Sequence, residues 1–103
     1  AEERVAARAI KRGLDVAAQA FAKGERRSAP LCGLARAEIL THPEARVEYV
    51  KLCDPETLRE IDVVQTAALL AVAVHYGGTR LIDNVVLRAE VRKSAPAGAR
   101  ASV

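Results

Sequence analysis

Two histidines and two cysteines, His42, His75, Cys32 and Cys53, are the side chains best suited to holding a soft metal ion. They form no CxxC pair or other ligand spacing, and His42 is followed directly by Pro43, so no metal ligand is assigned. No Ser-His-Asp or Cys-His arrangement can be built either. Cys32 falls on a predicted helix and reads as a small core residue, not a nucleophile. Arg80, Asp83 and Asn84 bring a guanidinium, a carboxylate and an amide close together. Such a trio could contact a polar substrate. The better reading is structural, with each group bonding to strand and loop neighbours, because buried polar groups must be satisfied. Arg4, Arg8, Lys11 and Arg12 form a basic stripe at helical spacing, with Asp15 near its end. Charge runs of this kind are usually solvated faces. No catalytic residue is assigned, and cofactor-binding residues are left open.

The elements that must carry these groups follow from the apolar periodicity. Ala6, Ile10, Leu14, Ala17 and Phe21 recur every three or four residues, which predicts one helix over 1–23. Gly24 is its natural stop. Ala1 is a poor N-cap for so regular a helix, as expected of a chain trimmed from something longer. A second helix is predicted over 26–40, with Ser28 as N-cap, Pro30 in its first turn and Leu31, Leu34, Ala35 and Ile39 as its apolar stripe. Gly33 weakens it, and His42-Pro43 ends it.

Residues 46–53 are rich in β-formers and read as a strand, followed by a turn at Asp54-Pro55-Glu56 and a short helical turn through Leu58. The run 67–76 is almost wholly apolar, and periodicity alone does not separate strand from helix there. Gly77-Gly78 decides it, since two glycines between apolar runs mark a two-residue hairpin with a returning strand over 79–91. That loop sets Tyr76 opposite Thr79, Val74 opposite Leu81, Val72 opposite Asp83 and Leu70 opposite Val85. This aliphatic face should meet the helices, and Asp83 on it needs partners. The other face carries Leu69, Ala71, Ala73, His75, Arg80, Ile82, Asn84 and Val86. Arg80 and Asp83 have opposite parity and should not pair. The small apolar residues around Ala71, Ala73 and Ile82 could pack on a neighbouring element or domain.

The 103 residues make one small domain, and half of them are apolar, so the chain is not disordered as a whole. The formal net charge is +3. Lys and Arg balance Asp and Glu over 1–87, so the excess comes from Arg88, Arg92, Lys93 and Arg100 against Glu90. A neutral body argues against a nucleic-acid face, and a tail so weakly basic and without aromatic residues is read as idle or solubilising. No apolar run is long enough to span a membrane, no signal segment is evident, and the cysteines suggest a reduced, cytoplasmic setting.

Gly78-Thr79-Arg80-Leu81-Ile82-Asp83-Asn84 resembles the closing signature of the pantothenate synthetase (pantoate–β-alanine ligase) family. Arg46-Val47-Glu48-Tyr49-Val50 with Asp54-Pro55-Glu56-Thr57-Leu58 is similar to the preceding strand and turn of that family. Ala1-Glu2-Glu3-Arg4 resembles the segment after its Met-Ser-Ser-Arg-Asn loop. The resemblance covers about residues 1–88. It implies the C-terminal lid of a ligase that uses ATP and Mg²⁺ to make a pantoyl adenylate, which β-alanine then attacks. It further implies a Rossmann-like N-terminal nucleotide-binding domain as the partner, and a homodimer. On this resemblance the basic stripe could give electrostatic help to the triphosphate. The family's phosphate loop, pantoate pocket and Met-Ser-Ser-Arg-Asn loop have no counterpart in this sequence, so the fragment alone is expected to be inactive and to bind no cofactor tightly.

The expected architecture is α+β: two helices on a three-stranded antiparallel sheet, with 1–93 as the lid domain and 94–103 as a flexible, disordered tail. The alternative is a stand-alone interaction or dimerisation module that kept the fold and lost the activity.

Overall fold

In the computed structural model, which describes residues 2–89, Glu2–Ala22 form helix α1. Its predicted apolar face is the buried one: Ala6, Ile10, Leu14, Ala17 and Phe21 are all nearly inaccessible. Gly24 ends it at φ 117°, with the Glu25 amide reaching back to the Ala20 carbonyl and the Gly24 amide to Phe21. This left-handed C-terminal cap is the role that only glycine fills without strain.

Helix α2 spans Ser28–Ile39 and buries Leu31, Ala35 and Ile39. Leu34 is not part of that stripe and is 39% exposed. Four-residue spacing puts the other three on one face, whereas Leu34 sits beyond its edge. Ser28 is also not the cap. Arg27 is, in extended conformation and without a side-chain cap bond, while the Ser28 amide donates to the Asp62 carbonyl. A loop from elsewhere in the chain thus satisfies one of the unpaired amides of the first helical turn.

The helices pack closely because Gly13 leaves room for it. A Cβ there would stand 2.8 Å from the Ala35 carbonyl oxygen and 3.2 Å from Ile39 Cγ1. Helix–helix contact at this point is backbone against backbone.

Three strands follow: β1 (Ala45–Cys53), β2 (Ala67–Tyr76) and β3 (Thr79–Arg88), antiparallel in the order β1-β2-β3. The returning strand is shorter than expected, and Val91 and the expected tail over 94–103 lie outside the described residues. The hairpin register is the predicted one, from Tyr76↔Thr79 through Leu70↔Val85. Gly77 takes φ 61° at the first loop position, as a type II′ hairpin turn requires. Strand β1 carries a bulge: pairing passes from Val47↔Val74 to Tyr49↔Ala73, leaving Glu48 as the extra residue.

Asp54-Pro55-Glu56 makes the expected single helical turn, closed by the Leu58 amide donating to the Asp54 carbonyl at 2.9 Å, and no longer helix follows. The Asp54 carboxylate accepts from the Glu56 and Thr57 amides, and Leu58 follows at φ 63°. The segment then runs back beside the α1–α2 linker. There the Val64 amide donates to the Arg26 carbonyl, and Val64 itself is buried.

Both helices lie on one face of the sheet. Leu52, Leu70, Val72, Val74 and Leu87 point into the core they share with Leu14, Phe21, Leu31 and Ile39. The opposite face has no helix on it among the described residues.

Candidate functional site

The uncovered face is where the sequence-predicted polar groups gather. Strand alternation turns Arg46, Tyr49, Lys51 and Cys53 of β1 outward, with Leu69, Ala71, Ala73 and His75 of β2 and Arg80, Ile82, Asn84 and Val86 of β3. Arg80 reaches across β2 to Glu48. Its Nε donates to Glu48 Oε1 at 2.8 Å and its Nη2 to Oε2 at 3.3 Å. His75 Nε2 also lies 2.9 Å from Glu48 Oε1. The Glu48 carboxyl is held below its ordinary value, first by the Arg80 hydrogen bonds and then by His75. The same pairing raises the Arg80 guanidinium. These groups are two-fifths exposed, so water screens the attraction. Their effect is to pin the two outer strands to each other over the middle one.

Arg80 therefore does bond to a strand neighbour, and it does not pair with Asp83. Asp83 stands opposite Val72, on the helix side, as its parity predicts. It is nevertheless exposed. Phe21 of α1 and Leu87 of β3 line one depression. The helix-side neighbours of Asp83, Leu81 and Val85, pack against the core, while the Asp83 Oδ1 accepts from the Asn84 amide at 2.7 Å. Its carboxylate is met by water and backbone, with no buried partner. Asn84 is exposed on the open face.

The remaining candidates are dispersed. His42 Nε2 lies 3.1 Å from the Tyr76 hydroxyl, and the two rings meet edge to face. Cys32 Sγ lies 3.6 Å from Ser28 Oγ. Burial pushes the Cys32 and Cys53 thiols up, which is the wrong direction for a nucleophile. Among the described residues no three His, Cys, Asp or Glu side chains come together as a cation would need. On α1, Lys11 approaches Asp15 at 3.8 Å and Arg12 approaches Glu38 of α2 at 3.4 Å, so part of the basic stripe is neutralised. Arg4, Arg8, Lys11 and Arg12 surround only a shallow surface around Ala7.

Two contacts were not foreseen from sequence. The Glu48–Arg80 link was hidden because the bulge resets the parity of β1 at Glu48 itself. The His42–Tyr76 pair joins the turn after α2 to the hairpin, and no local pattern announces it.

The described residues thus offer no nucleophile with a base and no metal cradle. They form a helix-backed α+β module with one open sheet face. The comparisons say which enzyme family. The profile of the pantoate-beta-alanine ligase family matches residues 1–86, and the chain belongs to that family. It is 42% identical over 90 residues to a pantothenate synthetase of Desulforapulum autotrophicum, covering 87% of this chain and 32% of that protein. It is 49% identical over 87 residues to pantothenate synthetase 1 of Bradyrhizobium diazoefficiens, covering 84% of this chain and 30% of that one. The crystal structure of pantothenate synthetase from Thermus thermophilus superposes with a TM-score of 0.74 at 27% identity, over 82% of this chain and 30% of that chain. The chain thus spans about a third of the length of these relatives.

Proposed function

We propose that this chain is the C-terminal lid domain of an ATP-dependent ligase that condenses pantoate with β-alanine through a pantoyl adenylate. The observation that carries this reading is the coverage: a family match over residues 1–86 that reaches only 30–32% of pantothenate synthetase relatives. In this reading ATP and Mg²⁺ are held by the upstream, nucleotide-binding part of the protein. The described residues do not fit Mg²⁺, since they gather no carboxylate cluster. They act by covering the site, excluding water from the reactive acyl adenylate. The fragment alone is inactive. The full-length enzyme is cytoplasmic and homodimeric, and no helix among the described residues is long and apolar enough to cross a membrane.

The test is AMP release dependent on ATP, pantoate and β-alanine, by the full-length gene product and by this chain alone. Release by the first and none by the second is expected. A full-length protein whose turnover and adenylate hydrolysis are unchanged by deleting this domain would remove the lid role. A second reading, a stand-alone interaction module, draws on the exposed Ile82 and Val86 of the open face. It predicts partner binding without any AMP release from the gene product.

A further inference from the structure

Arg26 is a partly buried cation without a carboxylate partner among the described residues. Its guanidinium lies over the Phe21 ring, 4.1 Å from the centroid, and its Nη1 donates to the Phe21 carbonyl at 2.6 Å and to the Glu25 carbonyl at 3.2 Å. The adjacent carboxylate, Glu25, is turned to Arg27 instead, accepting from its Nε at 3.1 Å and its Nη2 at 3.2 Å. Arginines drawn out of full solvent are normally paired. Here the ring and two carbonyls hold the group in place, while its Nε and Nη2 keep no acceptor among the described residues.

The guanidinium borders a depression of about 490 Å³ between the last turn of α1 and the end of β3. Ala18, Phe21, Ala22 and Leu87 give it an apolar lining, Arg88 stands beside them, and no Asp or Glu lines it among the described residues. That volume is in the range of small-molecule sites. The free edge of β3 adds donors. Ala89 donates its amide to Thr66, and alternate residues of an antiparallel strand point opposite ways, so the Val86 and Arg88 amides face away from β2 with no partner among the described residues. An anchored guanidinium, two unpaired amides and an apolar floor are complementary to a carboxylate joined to compact hydrocarbon. We infer that this depression binds a small organic carboxylate with a compact apolar body, its charge held by Arg26 and the edge amides and its body resting on Ala18, Ala22 and Leu87. The inference uses contacts within this domain alone and does not rest on the ligase reading.

The experiment uses the full-length protein, pivalate as the probe, and phenylglyoxal, which modifies arginine, as the reporter. Modification rates are read peptide by peptide at Arg88 and, as a control, at the exposed Arg59. With an affinity of about 1 mM, ordinary for so small a ligand, about 10 mM pivalate should slow Arg88 about tenfold and leave Arg59 unchanged. Pivalamide has the same shape without the charge, and inorganic phosphate has the charge without the body. Neither should give comparable protection. Arg26→Gln should abolish the protection by pivalate. Ala22→Trp, which fills the depression from an exposed position, should do the same, and serves if the first variant fails to fold. Failure of pivalate to protect Arg88 overturns the inference. Equal protection by phosphate or pivalamide overturns the ligand class, and protection that survives both substitutions overturns the location. An Arg88 already unreactive without pivalate means that the depression is covered in the whole protein, and overturns the inference as well.

Discussion

The two faces of the sheet share a middle strand of almost uniform apolar character and differ in nearly everything else. On the covered face Leu70, Val72 and Val74 are fully enclosed by helix side chains of matching size. On the open face β2 presents mainly alanines, and the larger groups come from its neighbours: Tyr49 and Ile82 stand in register on either side of Ala73, which is 0% exposed. One face is closed by the fold itself. The other is left half-closed by short side chains, with polar links laid over the top. Stability should therefore reside in the first face and recognition in the second, and substitutions can set the two apart.

The largest effect is expected from Leu70→Ala. Deleting a fully enclosed Leu side chain costs about 3 kcal/mol by transfer and cavity terms, read by urea unfolding. The outward neighbour Ala71→Ser should change the same measurement by less than about 0.5 kcal/mol. If the two substitutions cost alike, the contrast between the faces is broken.

Gly13→Ala comes next. Its Cβ would press on the Ala35 carbonyl, so α1 and α2 must separate. A loss of about 1–2 kcal/mol is expected even though alanine is the better helix former. A gain in melting temperature would show that the helix layer is looser than described. Tyr76→Phe removes the hydroxyl that meets His42 and should cost about 1 kcal/mol, again by denaturant titration.

The smallest effect belongs to the open face and depends on pH. Glu48 titrates below its ordinary value of 4.5 in the folded chain. The unfolded state therefore binds the proton first as pH falls. The stabilising contribution is complete above the unfolded value and is lost as pH drops through the folded one. Glu48→Gln should be slightly less stable than the parent at pH 7 and indistinguishable from it in strong acid. A difference that grows on acidification would contradict the Arg80 pairing. Asp54, also held low by the Thr57 and Glu56 amides, has the same sign and is common to both proteins.

What the sequence made legible was whatever local chemistry decides. Gly77-Gly78 admits a two-residue loop, which fixes every pair down the hairpin, and Gly24 marks the end of α1. Side-chain parity placed Asp83 on the helix side correctly. Its exposure was not legible, because parity gives the face of a residue and not its tertiary cover. The cap of α2 was misplaced for a related reason, since α2 begins one residue earlier, where a backbone carbonyl of the 54–66 connection holds the Ser28 amide. Of the candidate site, Arg80 and the small apolar stripe were visible as outward residues. Their link to Glu48 was not, because an inserted residue in β1 moves its side chain without leaving a compositional trace.

That inserted residue has one more consequence. Strands β1 and β3 are the rims of a three-stranded sheet, and a regular rim is a template on which another molecule's strand can add. At Glu48 the spacing of amides and carbonyls along β1 is broken, and along β3 the exposed charges of Arg80, Asp83 and Arg88 interrupt the apolar residues. Irregularity on one rim and charge on the other discourage edge-to-edge pairing with another sheet.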